Sequence, residues 1–141
     1  SVGLYNYGNN FSSVGDLPVN DRLYILQHKI IKQLAEKKNF VVVGRCADYV
    51  LESEPCRTLD IFLYADMDFK IARIEKLYSL DKKTAEDRII KTEKQRRAYY
   101  NYYSNKEWGG MTGYDLCLNT SKIGIDNAVD IICRTAADLT K

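Results

Sequence analysis

Phe40-Val-Val-Val-Gly-Arg-Cys-Ala-Asp-Tyr-Val50 is the stretch on which the reading of this chain turns. Its first half is short, continuous and β-branched, the pattern of a strand buried on both faces. Gly44 permits a tight turn directly after it. In open α/β sheets ligands bind at the carboxyl ends of the strands. Arg45 would stand there as a fixed positive fork, suited to a bidentate grip on phosphate or carboxylate. The plainer alternative is a surface arginine paired with a nearby acid.

Two similar runs lie downstream. Leu59-Asp-Ile-Phe-Leu-Tyr-Ala65 and Tyr114-Asp-Leu-Cys-Leu-Asn119 both read as buried strands. Helical patterns separate and follow them, over Asp68–Leu80, Thr84–Tyr103 and Ile125–Leu139. Ile125, Val129, Ile132, Ala136 and Leu139 form a clean apolar stripe on the last. Upstream, Asn20 or Asp21 could cap a helix running to about Lys38, with Leu23, Leu26, Ile30 and Leu34 forming its apolar stripe and Gln27 falling on that same stripe. Strands alternating with amphipathic helices predict an α/β fold with a parallel sheet. Three strands make a thin sheet, so the pattern looks incomplete. Residues 1–19, rich in Gly, Asn and Ser, read as a flexible N-terminal segment, and residues 20–141 as the folded core.

The helix over Thr84–Tyr103 carries the strongest functional signal. Ala85, Ile89, Thr92, Tyr99 and Tyr103 share one face, and Arg96 falls at its centre. Desolvating such a charge without a partner costs several kcal/mol. Arg96 must therefore meet a protein acid, such as Glu93, or look into a ligand-filled cleft. Lys91, Lys94 and Arg97 add positive charge, as a lid closing on polyphosphate requires. Arg73 faces away from the core stripe of its own helix, either solvated or reaching over a cleft. Asp66 and Asp68 could hold a metal ion, but Asp is also a favoured cap for the helix that follows. Asn119, Thr120 and Ser121 could bond a purine edge or cap the next turn.

Composition narrows the function classes. The 141 residues carry 21 basic and 19 acidic side chains, a net +2. That balance disfavours a general nucleic-acid binder. The run Tyr99-Tyr100-Asn-Tyr-Tyr103, flanked by basic residues, nevertheless keeps a base-stacking RNA module as a rival. Cys46, Cys56, Cys117 and Cys133 show no C-x-x-C spacing, which argues against a zinc or redox site and for a reducing, cytoplasmic setting. No apolar run reaches the roughly 20 residues of a membrane span. His28 is the sole histidine, so no His-based metal site is expected.

Taken in order, these elements resemble the cytidylate-kinase-like family of P-loop kinases. The matching text is Leu23-Tyr-Ile-Leu-Gln27, Val41-Val-Val-Gly-Arg-Cys-Ala-Asp-Tyr-Val50, Ile61-Phe-Leu-Tyr-Ala65 with Arg73-Ile74, and Glu93-Lys-Gln-Arg-Arg-Ala-Tyr-Tyr100. It continues through Trp108, Tyr114-Asp-Leu-Cys-Leu-Asn-Thr-Ser121 and Ile123-Gly-Ile-Asp-Asn-Ala-Val129. The resemblance implies a three-layer parallel sheet of the P-loop kinase type and transfer of the γ-phosphoryl of ATP, with Mg²⁺, to CMP or a related acceptor. It implies an acceptor site at Gln27, Arg45 and Asp48, and catalytic lid arginines at Arg73 and Arg96. Arg73 would also meet ATP, with Asn119, Thr120 and Ser121 flanking the adenine. It assigns no metal ligand here. A small-molecule nucleotide is the implied partner, a homodimer is left open, and no membrane partner is expected.

Two departures stand out. The family's Gly-Arg pair is followed by an Asp that helps read cytosine, whereas Cys46 stands here, with Asp48 as the nearby substitute. The family also begins with a strand, a glycine-rich phosphate loop and a helix, and no G-x-x-x-x-G-K-[ST] occurs in these residues. The expectation is therefore a chain that lacks the first strand and loop, starts inside the acceptor-binding region, and is inactive as given. The alternative is a non-catalytic nucleotide-binding or regulatory module.

Overall fold

The computed structural model describes residues 18–37 and 39–139. The flexible segment expected over residues 1–19 lies outside these, except for Pro18 and Val19, as does Lys38. The elements in order are α1 (Val19–Lys37), α2 (Ala47–Leu51), β1 (Ile61–Tyr64), α3 (Met67–Tyr78), α4 (Lys82–Ser104), a 3-10 turn (Met111–Gly113), β2 (Leu116–Asn119), α5 (Thr120–Ile123) and α6 (Ile125–Leu139). The chain is α/β, as expected, with a small parallel sheet. It divides into two compact units. One runs through Thr58 and includes Tyr100–Lys106, and the other holds Leu59–Tyr99 and the chain from Glu107 onward.

The first unit is built on α1 and α2. Ile31, Ala47, Val50 and Leu51 form its core, with Ala35, Phe40, Val42 and Cys56 packed around them. Among the described residues the expected first strand is not paired into a sheet. Phe40 and Val42 pack inward, but Val41 and Val43 are 93% and 88% exposed. The segment is extended and alternating, not buried on both faces. A strand is defined by its ladder, and among the described residues this segment has no pairing partner. Among the described residues the sheet therefore has two strands, where three were expected.

The face of α1 also differs from the expected one. Asp21, Tyr24 and Ile31 are buried, while Leu23, Leu26, Ile30 and Leu34 are exposed, Leu26 by 55%. The stripe is displaced by one residue because Tyr24 stacks on Tyr103, with ring centroids 4.2 Å apart, and Asp21 accepts a 2.7 Å hydrogen bond from the Tyr103 hydroxyl. Those contacts decide which side of the helix turns inward. The helix starts at Val19, so Asn20 and Asp21 stand in its first turn and do not cap it. An acid there still suits the helix dipole.

In the second unit β1 and β2 run parallel, with Ile61 opposite Leu116 and Tyr64 opposite Asn119. The ladder is tied at its start, where the Asp60 amide donates to the Asp115 carboxylate at 2.7 Å. Ile71, Ala85 and Ile89 form the core between α3 and α4, with Ile74 and Leu80 beside them. Helix α4 begins two residues earlier than expected because Asp81 caps it, accepting from the Thr84 amide and hydroxyl. Near β1, the Phe62 ring meets Trp108 and Tyr114. Gly109 has φ +80°, and a Cβ there would come within 3.0 Å of the Phe62 ring.

The expected stripe of α6 is mostly open, with only Ala128 fully buried and Ile125 and Val129 exposed. Length explains this. A four-residue strand reaches about 13 Å, whereas a fifteen-residue helix runs about 22 Å, so much of the stripe has no sheet opposite it. Among the described residues, no helix is long and apolar enough to cross a membrane.

This packing predicts a sharp contrast between adjacent isoleucines. Ile89→Ala should cost about 2–5 kcal/mol in urea unfolding, and Ile90→Ala no more than about 0.5 kcal/mol. Equal losses would contradict the assigned core. Gly109→Ala should also destabilise, by about 1 kcal/mol or more, because both its backbone angle and its space are restricted.

Candidate functional site

The turn after the Phe40–Val43 segment is left-handed at three consecutive residues, with φ of +70° at Gly44, +61° at Arg45 and +54° at Cys46. Glycine takes this conformation freely, but Arg and Cys pay about 1–2 kcal/mol each. Such strain persists where the surroundings enforce it, and it concentrates at ligand-holding turns. Here the Ala47 amide bonds back to the Gly44 carbonyl at 3.2 Å, and the Val50 amide to the Cys46 carbonyl at 2.9 Å, which starts α2. The outcome is a fully inward Cys46 and an exposed Arg45 at the tip.

Cys46 is 2% exposed, and its thiol is pushed up to about 12, first by burial and then by the nearby Asp48 charge, with Arg45 opposing. A neutral buried thiol is not a base-reading group. Asp48 has a different environment. It is half-buried on the first turn of α2 and accepts a hydrogen bond from the Tyr100 hydroxyl at 2.5 Å. Tyr100 is buried in the last turns of α4, where its carbonyl accepts from the Ser104 hydroxyl. Gln27 is half-buried on α1, close in sequence to Tyr24. Gln27, Arg45 and Asp48 thus all belong to the first unit.

The tyrosine run is largely spent on internal bonds. Tyr100 reaches Asp48, and Tyr103 reaches Asp21 and stacks on Tyr24. Tyr102, 65% exposed, is the member that faces solvent most. These two phenol-to-carboxylate bonds were not anticipated from the sequence. The available signal was the cluster of tyrosines at helical spacing beside a helix face that also had to satisfy acids.

Arg73 and Arg96 belong to the second unit. Both are exposed, and among the described residues neither has an ion-pair or hydrogen-bond partner. Arg96 is thus not buried at the centre of its face. The face is covered at Ala85 and Ile89 and opens to solvent at Arg96. Glu93, the acid considered for Arg96, pairs instead with Lys70 at 2.5 Å. Nearby cations are otherwise engaged, with Arg88 lying 4.0 Å over the Tyr78 ring and Arg97 5.6 Å over Trp108.

At the carboxyl ends of β1 and β2, the polar side chains bond to one another. The Thr120 hydroxyl donates to the Tyr64 carbonyl at 3.1 Å. The Asn119 amide donates to the Asp66 carboxylate at 3.3 Å, and Asn119 Oδ1 accepts from both the amide and hydroxyl of Ser121. Asn119 therefore caps α5. Asp66 precedes α3 without a side-chain capping bond, and its carboxylate pairs with Lys122 at 2.8 Å. Lys122 and Asn119 hold that carboxyl below its usual range. Among the described residues, no group of three or more His, Cys, Asp or Glu side chains converges as a metal site.

Comparison with known proteins gives this arrangement its family. The model of the cytidylate kinase-like family matches residues 3–122. A cytidylate kinase of Methanocaldococcus jannaschii is 27% identical over 127 residues, which cover 84% of this chain and 71% of that protein. A cytidylate kinase of Methanococcus aeolicus is 27% identical over 110 residues, covering 77% of this chain and 62% of that one. The crystal structure of an uncharacterized protein from Eubacterium ventriosum matches with a TM-score of 0.80 and 34% identity, over 89% of this chain and 70% of its own. The strained Gly-Arg turn, the parallel strand ends and the exposed Arg73 and Arg96 are thus features of a chain that belongs to the cytidylate kinase-like family.

Proposed function

We propose that this chain carries the acceptor-binding and lid elements of a nucleoside monophosphate kinase-like phosphotransferase, one that moves the γ-phosphoryl of ATP to CMP or a related acceptor. One observation carries the reading. Arg73 and Arg96 stand open with no acidic partner among the described residues, while Glu93 and Asp66 are each neutralised by a lysine. Phosphoryl transfer needs positioning and positive charge and no covalent step by the protein, so exposed guanidiniums are the right equipment.

In this reading Arg45 grips the acceptor's phosphate with its fork. Gln27 and Asp48 meet the rest of the acceptor. Arg73 and Arg96 neutralise charge on the transferring phosphoryl. The side chains of Asn119, Thr120 and Ser121 are engaged with each other and with β1, so an adenine there would be met by backbone groups of this turn. The described residues do not fit a magnesium site of their own, and no step is assigned to the ion. No glycine-rich phosphate loop of the G-x-x-x-x-G-K-[ST] type stands in the 141 residues, so these residues alone are not expected to turn ATP over.

Titration calorimetry of the chain with CMP, UMP and AMP tests the acceptor assignment. Saturable binding is expected, weakened about tenfold or more in Arg45→Ala. The absence of saturable binding by all three nucleotides would contradict it. A coupled assay of the same chain with ATP, Mg²⁺ and CMP should yield no ADP, and steady ADP formation would refute the expected inactivity. Arg96→Met should leave the thermal midpoint within about 2 °C, as befits an exposed side chain without an ion pair. A larger shift would mean that Arg96 serves the fold. Cys46 should resist iodoacetamide in the native chain at pH 8 while exposed Cys133 reacts, as peptide mass spectrometry would show.

A further inference from the structure

Helix α1 leaves its aliphatic side open. Val19, Leu23, Leu26, Ile30 and Leu34 are all exposed on one face, Val19 by 68%. From Val19 to Leu34 the face runs about 22 Å along the helix. Scattered exposed leucines need no explanation, but a contiguous stripe marks an interaction surface. The stripe is spaced as a helix-pairing seam. Val19, Leu23, Leu26 and Ile30 recur at intervals of four, three and four residues. One border of the seam is charged. Arg22, Lys29 and Glu36 stand along it at seven-residue intervals, all exposed, and among the described residues none of them has an ion-pair partner. The other border, Asn20, Gln27 and Leu34, carries no charge.

We propose that this face docks on α1 of a second copy of the chain, the two helices lying antiparallel about a two-fold axis. The border charges select that occupant. An axis crossing the seam near Lys29 sets the charged border against itself in reverse order. Arg22 then lies opposite the partner's Glu36, and Glu36 opposite the partner's Arg22, while Leu26 packs against the partner's Ile30. A parallel pair would instead set Arg22 against Gln27 and Lys29 against Leu34, with no ion pair. A partner surface of one charge sign would leave either Arg22 or Glu36 facing its own sign. Lys29 meets its counterpart at the axis, where its long stem lets the ammonium turn out to solvent. Each copy would bury on the order of 500 Å², which is the low end for a specific interface and gives a weak, concentration-dependent dimer. This inference goes beyond the acceptor-site reading and does not rest on it.

Sedimentation velocity of the full chain tests it, and should show a monomer–dimer equilibrium with a dissociation constant of roughly 1–100 μM. Leu26→Lys alters an exposed side chain, so it should keep the helical circular dichroism and lose the dimer. Arg22→Glu sets two acids opposite each other and should weaken the dimer about tenfold or more. The double reversal, Arg22→Glu with Glu36→Arg, restores opposite signs and should bring the constant back to within about threefold of the original. These reversals place an acid near the start of α1 and a base near its end, which suits the helix dipole, so unfolding would not explain a loss. A chain that stays monomeric at about 200 μM would overturn the inference. So would a Leu26→Lys chain that still dimerises, or a double reversal that binds no more tightly than Arg22→Glu alone. Open-ended growth beyond the dimer would contradict the two-fold axis.

Discussion

Two hydrogen bonds from tyrosine hydroxyls to aspartate carboxylates, Tyr103 to Asp21 and Tyr100 to Asp48, set the organisation of the first unit. Both donors lie in the last turns of α4, and the acceptors lie in the first turns of α1 and α2. A buried carboxylate is costly unless it is satisfied, and a buried phenol likewise needs a partner. One bond satisfies the buried Asp21 carboxylate and the other the buried Tyr100 phenol. The first turns Asp21 and Tyr24 inward and leaves the leucines of α1 outside. The second fixes the side chain that follows the strained turn at Gly44–Cys46. The turn's geometry then separates two neighbours of opposite character, an interior Cys46 and an exposed Arg45.

The second unit distributes charge by the same logic of satisfaction. Its polar side chains at the strand ends saturate one another and tie β1 to β2 through Tyr64, Asp66, Asn119, Thr120 and Ser121. Lys70 and Lys122 neutralise Glu93 and Asp66. These exposed and half-exposed pairs contribute little to stability. Their effect is to leave Arg73 and Arg96 uncompensated. An unpaired guanidinium in solvent costs the fold nothing and retains its full field for an anionic ligand.

Much of this was legible in the sequence, and the gaps have physical causes. The β-branched and aromatic run at Ile61–Tyr64 and the alternation at Leu116–Asn119 became strands because each had the other as a partner. Phe40–Gly44 has equal strand propensity and no partner among the described residues, so propensity alone misled. The stripe of Leu23, Leu26, Ile30 and Leu34 is a correct amphipathic signal, yet the burial of Tyr24 outweighed it. Periodicity shows that a helix has an apolar face but does not show that the face is covered, as α6 also illustrates. The tight turn at Gly44 and the exposed place of Arg45 on it were legible, although the strand expected before that turn has no pairing partner among the described residues. Arg96 was placed on the right face and misjudged in depth. The Tyr–Asp bonds join residues 52 and 82 positions apart, so the tyrosine cluster did not by itself name the acids it meets.

The central claim is that Arg45 on its left-handed turn takes the phosphate of a nucleoside monophosphate. Two-dimensional NMR of the arginine side-chain Nε–H groups, in a chain labelled with ¹⁵N-arginine and titrated with CMP, observes that contact directly. The account predicts a saturable shift of the Arg45 resonance while Arg57 and Arg134 stay in place. An Arg45 resonance that does not move when the other arginines do, or a titration that moves none of them, would contradict it.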